Sequence, residues 1–217
     1  MKKSTSKNIA SKVIDLKIYA LKNLKKSINK DFDKAVNTIV ECRSKIILCG
    51  VGKSGLIAAK IASTLSSVGS PAFSLSANDC LHGDLGSITK KDVLILISNS
   101  GKSEEIIPII KFANRNKIKL IGIVSKKKSF LYKASDIKIL LPEVKESGLG
   151  FVPTSSTSIQ LAVGDALAVA SLKKKQFSKY DFSRLHPGGS LGRQLKTVGD
   201  IMVSGKKIPF INERSEE

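Results

Sequence analysis

Short apolar runs alternate with amphipathic stretches from residue 46 to residue 175, and this alternation predicts the fold. The apolar runs have the length of strands, and they are 46–49, 71–75, 93–97, 120–124 and 137–141. Helical spacing of apolar positions fills most of the intervals, at 53–67, 104–116 and 156–175. Apolar strands separated by helices are typical of a parallel sheet that is buried on both sides. The pattern therefore predicts an α/β fold, with a five-stranded parallel sheet flanked by helices on both faces.

The ends of the chain lie outside this alternation. Two more helices are predicted before the first strand, one over 9–28 and one around 32–42. Residues 199–202 and 208–209 suggest an extended segment that leaves the core and is either poorly ordered or packed on a neighbour. We therefore divide the chain into N-terminal helices (1–44) that pack on the domain or on an oligomer, a sheet domain (45–196) and a C-terminal tail (197–217).

The formal charge of +19 raises the question of nucleic-acid binding. Only five of the 37 basic residues are arginine, and the lysines are scattered apart from short runs such as 126–128. Aromatic residues make up 5% of the chain and do not interleave with the basic ones, so stacking platforms for bases are not visible. We expect no nucleic-acid partner and interpret the lysines as a solvated surface that attracts anionic substrates.

Hydropathy and cysteine content indicate the compartment. No apolar run approaches the ~20 residues of a membrane span, and charges interrupt the apolar residues of the lysine-rich N-terminus, so a signal-peptide core is lacking. Cys42, Cys49 and Cys80 form no CxxC pair, which favours reduced thiols. The sequence predicts a cytoplasmic protein that does not bind membranes.

Three polar loops stand beside the predicted strands or at the start of the last long helix. They cover residues 50–55, 98–105 and 153–157, and two of them are rich in serine and threonine. In parallel sheets ligands bind beyond the carboxyl ends of the strands, so we expect the loops to meet there. Hydroxyl groups and backbone N–H groups at helix starts bind phosphate. The leading ligand is therefore a phosphorylated small molecule.

The first loop matches two nucleotide-binding patterns only in part. Residues 50–55 fit Gly-x-Gly-x-x-Gly, but the acidic residue expected ~20 positions later is not clearly present, since Asp79 lies beyond the second strand. A P-loop would need glycine where Ile47 stands. We therefore expect no nicotinamide cofactor. A tight turn explains Gly50 and Gly55, whereas Lys53 adds a cation at the carboxyl ends of the strands.

The second loop, SNSGKS at 98–103, offers three hydroxyl groups, an amide and a glycine before a predicted helix. An ordinary helix start is the alternative interpretation, with Ser103 as N-cap and the helix dipole favouring Glu104 and Glu105. Capping needs one hydroxyl group and not three. We predict that this loop binds phosphate.

Both histidines, His82 and His186, lie in glycine-rich loops. Imidazole titrates near neutral pH, so both are candidates for acid–base chemistry. Two histidines and dispersed cysteines without HxH or HxxxH spacing do not form a ligand set, and we predict no metal site. Glu146 follows the fifth strand near the 153–157 loop and is able to reach the same cavity, although by itself it is typical of a surface charge.

Six motifs together resemble a sugar isomerase (SIS) domain, and more closely the D-arabinose-5-phosphate isomerase family. They occur in the family's order between about residues 45 and 195, and they are GVGKSG (50–55), HGDLG (82–86), SNSG (98–101), PTSST (153–157), GDALA (164–168) and HPGGSLG (186–192). The resemblance implies interconversion of D-ribulose 5-phosphate and D-arabinose 5-phosphate without a cofactor. It also implies a contribution to synthesis of the octulosonate sugar of bacterial lipopolysaccharide.

The resemblance also implies the roles of individual residues. Lys53, Glu105, Glu146 and His186 fall on catalytic positions. The substrate-binding candidates, from the resemblance and from the polar loops, are Ser54, Gly69, Ser70, His82, Ser98, Asn99, Ser100, Gly101, Ser103, Thr154, Ser155, Ser156 and Thr157. Members of the family are typically homotetramers with active sites built across subunits, so His186 is a candidate for serving a neighbour's site.

The chain departs from the family pattern in three places. Residues 76–79 (SAND) replace the His-Pro-x-Glu of many relatives, and Lys102 stands where glutamate is common. Many relatives continue after Asp-Ile-Met into two cystathionine-β-synthase-type (CBS) modules, whereas this chain stops about fifteen residues past Met202. We expect the tail to be a remnant of the start of such a module, in a truncated or a naturally short form.

Aldose–ketose isomerisation passes through an enediol and needs a base, proton relays and a stabilised oxyanion. Our hypothesis is that residues 98–103 hold the phosphate and that Lys53 stabilises the enediolate. Either His186 or Glu146 is the carbon base, and the other, with Glu105, transfers the hydroxyl protons.

Two alternative functions remain. One is a non-catalytic sugar-phosphate-binding SIS regulator, although roughly 44 residues before the first strand are too few for a DNA-binding domain. The other is a SIS isomerase for another phosphosugar.

Overall fold

Five parallel strands form a single sheet in the order β2-β1-β3-β4-β5. The computed structural model describes residues 5–187, 198–205 and 208. The strands are β1 (Ile46–Gly50), β2 (Ala72–Ser76), β3 (Val93–Ser98), β4 (Lys119–Val124) and β5 (Ile137–Leu140). The helices are α1 (Ser6–Ser27), α2 (Lys30–Glu41), α3 (Lys53–Ser67), α4 (Ala77–Cys80), α5 (Ile106–Arg115), α6 (Phe130–Ala134), α7 (Ser155–Lys174), α8 (Lys179–Leu185) and α9 (Val198–Ile201). A 3-10 turn covers Asp84–Ser87.

Helices cover both faces of the sheet, as the apolar runs predicted. Successive side chains of a strand point to opposite faces, so each strand contributes to two cores. Ile46 and Leu48 of β1 pack in the core formed with α2, α3 and α7. Ile47 and Cys49 pack in the second core, formed with α4, α5 and α6. The strands β1 and β3 are buried throughout. All four strand pairs are parallel, so the α/β fold with a five-stranded parallel sheet is confirmed.

The chain divides into two compact units, one up to Phe177 and one from Ser178 onward. In the first unit α1 packs on α7 and buries Ala20 and Leu24, while α2 contacts α7 and β5. The N-terminal helices therefore belong to the same unit as the sheet. In the part of the chain that the structure describes, no helix combines the length and the apolar character needed to cross a membrane.

The C-terminal tail differs from the prediction. Residues 199–202 were expected to be extended, but Val198–Ile201 forms one helical turn. The Met202 N–H group donates to the Val198 carbonyl at 2.9 Å, and this local bond closes the turn. The expectation of an extended segment is wrong at these residues. Positions 206, 207 and 209–217 lie outside the described residues, so the rest of that prediction is not addressed.

Candidate active site

The loops after β1 and β3 leave the sheet side by side. β1 pairs with β2 on one side and with β3 on the other, so the winding of the chain reverses between β1 and β3. In the parallel register Gly50 lies opposite Ile97, which puts the turn after β1 beside the loop after β3. Such a switch point, at the carboxyl ends of the strands, is where open α/β sheets bind ligands. Two of the three predicted polar loops are therefore neighbours.

The turn between β1 and α3 is tight enough to require glycine. A Cβ atom on Gly50 would lie 2.9 Å from the Ile97 carbonyl oxygen, and one on Gly55 would lie 2.7 Å from the Gly50 carbonyl oxygen. Gly52 has φ of 56° and precedes α3 without a side-chain cap.

Lys53 is exposed at the first position of α3, and within the described residues its ammonium group forms no ion pair. A cavity of about 320 Å³ opens between this turn and residues 74–78.

Hydrogen bonds within the 98–103 loop hold it in a fixed shape. The buried Ser98 Oγ accepts from the Gly101 N–H group at 3.0 Å, and the Ser100 Oγ accepts from the Lys102 N–H group at 3.3 Å. The Asn99 side-chain oxygen accepts from the Ser125 hydroxyl group at 2.7 Å, which ties the loop to the end of β4. Gly101 has φ of 62°. The loop is thus preorganised, and Asn99 and Ser100 remain exposed to a ligand.

Helix α5 starts later than predicted and without a side-chain cap. Its N-cap is Glu105, and no side chain among the described residues caps its first turn. The alternative interpretation, in which Ser103 caps this helix, is therefore wrong. The first two N–H groups of α5, on Ile106 and Ile107, donate instead to the backbone carbonyls of Ser103 and Glu104, both at 3.2 Å. The positive end of the helix dipole still favours an anion near this turn. Glu105 and Glu104 also line a cleft with Leu81, the residue before the exposed His82.

Glu146 is bound to the N-terminus of α7. Its Oε2 atom accepts hydrogen bonds from the Thr154 and Ser155 N–H groups, both at 2.8 Å, and from the Thr154 hydroxyl group at 3.1 Å. Its Oε1 atom accepts from the Ser156 N–H group at 3.2 Å. Burial raises the pKa of this carboxyl group, but the hydrogen bonds from residues 154–156 outweigh burial and lower it below its usual value. Glu146 is therefore a fixed anion, and its Oε1 atom accepts fewer hydrogen bonds than its Oε2 atom.

A partly buried hydrogen bond connects the first loop to α7. The Ser54 hydroxyl group donates to the Gln160 Oε1 atom at 3.1 Å, across 106 positions of sequence. Ser155 and Ser156 are buried in the first turn of α7, and the Thr157 hydroxyl group donates to the Thr154 carbonyl at 3.1 Å. Gln160 was missed in the sequence, where the only available signal is a polar residue one helical turn after Ser156. The 50–55 and 153–157 loops thus belong to one neighbourhood.

His186 belongs to the second unit and is held there by Phe182. Its Nδ1 atom lies 2.8 Å from the Phe182 carbonyl oxygen, and the two rings stack with centroids 3.8 Å apart and planes 12° apart. Because a carbonyl oxygen only accepts, Nδ1 carries the proton of the neutral ring. The Nε2 atom is then the basic nitrogen. The glycines that follow, at 188–192, lie outside the described residues.

Gly69 and Ser70 are not brought together with the polar loops. They precede β2, at the amino ends of the strands, whereas the loops follow the carboxyl ends. The Lys175 ammonium group donates to the Gly69 carbonyl at 3.0 Å and to the Ser70 hydroxyl group at 2.8 Å. Burial lowers the pKa of Lys175. In this unit the two residues form a partly buried contact with Lys175 at the amino ends of the strands.

Comparison with known proteins identifies the family. The sequence profile of the SIS domain matches residues 39–170. The chain belongs to the SIS domain family. The arabinose 5-phosphate isomerase KdsD of Yersinia pestis is 44% identical over 202 residues, which are 92% of this chain and 62% of that protein. This SIS chain therefore spans less than two thirds of the length of that relative.

Solved structures support the same assignment. The E. coli CFT073 protein c3406, solved in complex with arabinose 5-phosphate, has a TM-score of 0.80 and 32% identity, covering 85% of this chain and 100% of that one. A putative phosphosugar isomerase involved in capsule formation from Bacteroides fragilis has a TM-score of 0.79 and 34% identity, covering 83% and 96%. Both are proteins to which this SIS domain is similar in sequence as well as in fold.

Proposed function

We propose that this SIS domain is an aldose–ketose isomerase that interconverts D-ribulose 5-phosphate and D-arabinose 5-phosphate. One observation carries the proposal: a preorganised hydroxyl-rich loop lies beside the β1–α3 turn, which carries the exposed Lys53 and is linked to α7, at the switch point of the sheet. The 44% identity to an arabinose 5-phosphate isomerase supports the choice of substrate. The arabinose 5-phosphate bound in a similar structure supports it independently.

In this proposal the 98–103 loop binds the phosphate group. Asn99 and Ser100 are exposed, and the loop leads into the N-terminus of α5, the positive end of that helix's dipole. Together they suit a dianionic phosphoryl group. Binding at the unreactive end of the sugar fixes the position of the reacting carbons, so that binding energy is available for the transition state.

Proton transfer follows from the chemistry of the enediol. A base removes a proton from C1 of the ketose while O2 gains one, which gives the enediol. The O1 atom then loses its proton while C2 gains one, which gives the aldose. Lys53 stabilises the negative charge that develops on the oxygen atoms.

We assign the carbon base to His186. Its Nδ1–H group is held by the Phe182 carbonyl, so Nε2 is the open basic nitrogen that a general base needs. Glu146 is a weaker candidate because its hydrogen bonds lower its pKa. It provides a fixed negative charge instead, and Glu105 exchanges hydroxyl protons with the sugar.

The setting of the enzyme is part of the same proposal. We propose a cytoplasmic homotetramer with active sites shared between subunits, which contributes to synthesis of the octulosonate sugar of lipopolysaccharide. Exposed apolar residues on α1, among them Ile14, Ile18 and Leu21 at helical spacing, support an association between copies. Such a contact would bury a surface that water would otherwise cover.

Incubation of the purified chain with D-ribulose 5-phosphate tests the function. We expect D-arabinose 5-phosphate to form, and the H186A variant to lose at least about 100-fold in kcat while it stays folded. Turnover of a heptose or hexulose phosphate instead would identify another SIS isomerase. Binding of the pentose phosphates without turnover would identify a regulator. Either result would contradict the proposal.

A further inference from the structure

We infer that Gln160 is a positioning residue: its carboxamide fixes the Ser54 hydroxyl group and, through it, the β1–α3 turn that carries Lys53. The inference rests on the proposed function, because it assigns to Lys53 the charge that stabilises the enediolate. Gln160 itself touches no reacting atom in this assignment. It acts through Ser54.

The environment of Gln160 is unusual for a polar side chain. The residue is fully buried at 0% exposure, and its Oε1 atom accepts from Ser54 at 3.1 Å. Its Nε2 group has no hydrogen-bond partner among the described residues. Buried amide groups are costly unless both ends are bonded, so an apolar residue would be the more stable choice at a site that only needed packing.

The packing between α3 and α7 does not need this polar group. One helical turn further along α7, a Cβ atom on Gly164 would collide with the side chain of Ile61 on α3. The two helices are thus already in close apolar contact there. The Ser54–Gln160 bond stands at the end of this helix pair that faces the β1–α3 turn.

Gln160 also lies between two groups assigned to the reaction. Ser54 follows Lys53 in the first turn of α3. Ser156 precedes Gln160 by one turn of α7, and its N–H group is held by Glu146. The carboxamide therefore connects the turn that carries the ammonium group to the helix end that carries the fixed carboxylate. In either orientation of the amide one polar atom binds Ser54, so this connection does not depend on the amide rotamer.

Kinetics of a Q160M variant test the inference, since methionine keeps the length of the side chain and removes its hydrogen bond. We expect kcat for D-ribulose 5-phosphate to fall about 10- to 100-fold, with KM changed less than about 3-fold because the 98–103 loop is untouched. The matched control is S171A, which removes from α7 another buried polar group without a partner among the described residues. Its kinetics should equal those of the wild type.

A double-mutant cycle separates positioning from general packing. If Gln160 acts through Ser54, Q160M should have little further effect on kcat in an S54A background. Additive losses in the cycle, or normal kcat in Q160M, would overturn the inference while leaving the isomerase assignment intact.

Hydrogen exchange gives a readout that does not depend on turnover. Amide groups of residues 52–56 should exchange faster in Q160M than in the wild type, while those of residues 98–103 keep their rates. If the wild type isomerises no pentose phosphate but the exchange of 52–56 still rises, the proposed function fails and the role of Gln160 in holding the turn stands. Unchanged exchange at 52–56 would refute that role.

Discussion

Replacement of Glu146 by glutamine should destabilise the protein because the carboxylate holds the start of α7. The carboxylate accepts bonds from the N–H groups of Thr154, Ser155 and Ser156. A glutamine offers one acceptor oxygen instead of two and no charge. We assume that this oxygen takes the place of Oε2, so the shorter bond from Ser156, at 3.2 Å to Oε1, is lost and only a 3.4 Å contact remains.

The magnitude follows from two contributions. The negative charge at the N-terminus of a partly buried helix is worth about 0.3–2 kcal/mol. Loss of the hydrogen bond to Ser156 costs about 0.5–1.5 kcal/mol. We therefore expect E146Q to lower the free energy of unfolding by about 1–3 kcal/mol at pH 7, measured by urea denaturation at a fixed protein concentration.

The loss should depend on pH in a defined direction. Folding lowers the pKa of Glu146, so the stabilisation is complete above the pKa of the unfolded carboxyl group, about 4.3, and is lost as the pH falls through the lower folded pKa. The difference between wild type and E146Q should be constant from pH 7 to about pH 5.5. It should shrink below about pH 4.

A matched control lies three residues earlier. Glu143 is exposed and pairs with Lys126 at 2.7 Å, and E143Q should cost less than about 1 kcal/mol, as surface ion pairs do. Equal stability of E146Q and E143Q at pH 7 would refute the capping argument. So would a difference between wild type and E146Q that persists undiminished at pH 3.

Three further predictions concern the proton carrier, the thiols and the lysines. F182L removes the ring that stacks on His186 and so loosens the orientation of the imidazole. In steady-state kinetics kcat should fall about tenfold with little change in KM. An unchanged kcat would contradict this prediction. A thiol reagent should modify Cys42 in the native protein, but Cys49 and Cys80 only after denaturation, because the side chains of Cys49 and Cys80 are buried, with 0% and 2% exposure. Rapid labelling of all three thiols in the native protein would be the opposite result. Lys127 and Lys128 line a cavity with Ser100. Replacing both lysines by glutamine should reduce kcat/KM at low salt more than at high salt, because salt screens the attraction of the anionic substrate. A reduction that does not depend on salt would exclude electrostatic steering of the substrate.

The sequence by itself was sufficient for most of the sheet. Runs such as 93–97 and 120–124 are apolar on both faces, and a strand of that kind is stable only when helices cover both sides. The predicted strands lie within one or two residues of the observed ones, and helix α3 has the predicted bounds. The helices that were missed, α4, α6, α8 and α9, are too short to show a helical period in the sequence.

The proximity of the 50–55 and 98–103 loops could also be predicted from the sequence, because the loops that follow parallel strands lie at the same end of the sheet. The sequence did not determine which atoms are bonded there. The Ser54–Gln160 bond joins positions 106 residues apart, and the cap of α7 comes from Glu146, which precedes the helix by nine residues. Gly69 and Ser70 lie at the other edge because they precede their strand. Burial follows from local pattern, whereas hydrogen bonds between distant residues depend on how the layers pack, and only the tertiary structure determines that packing.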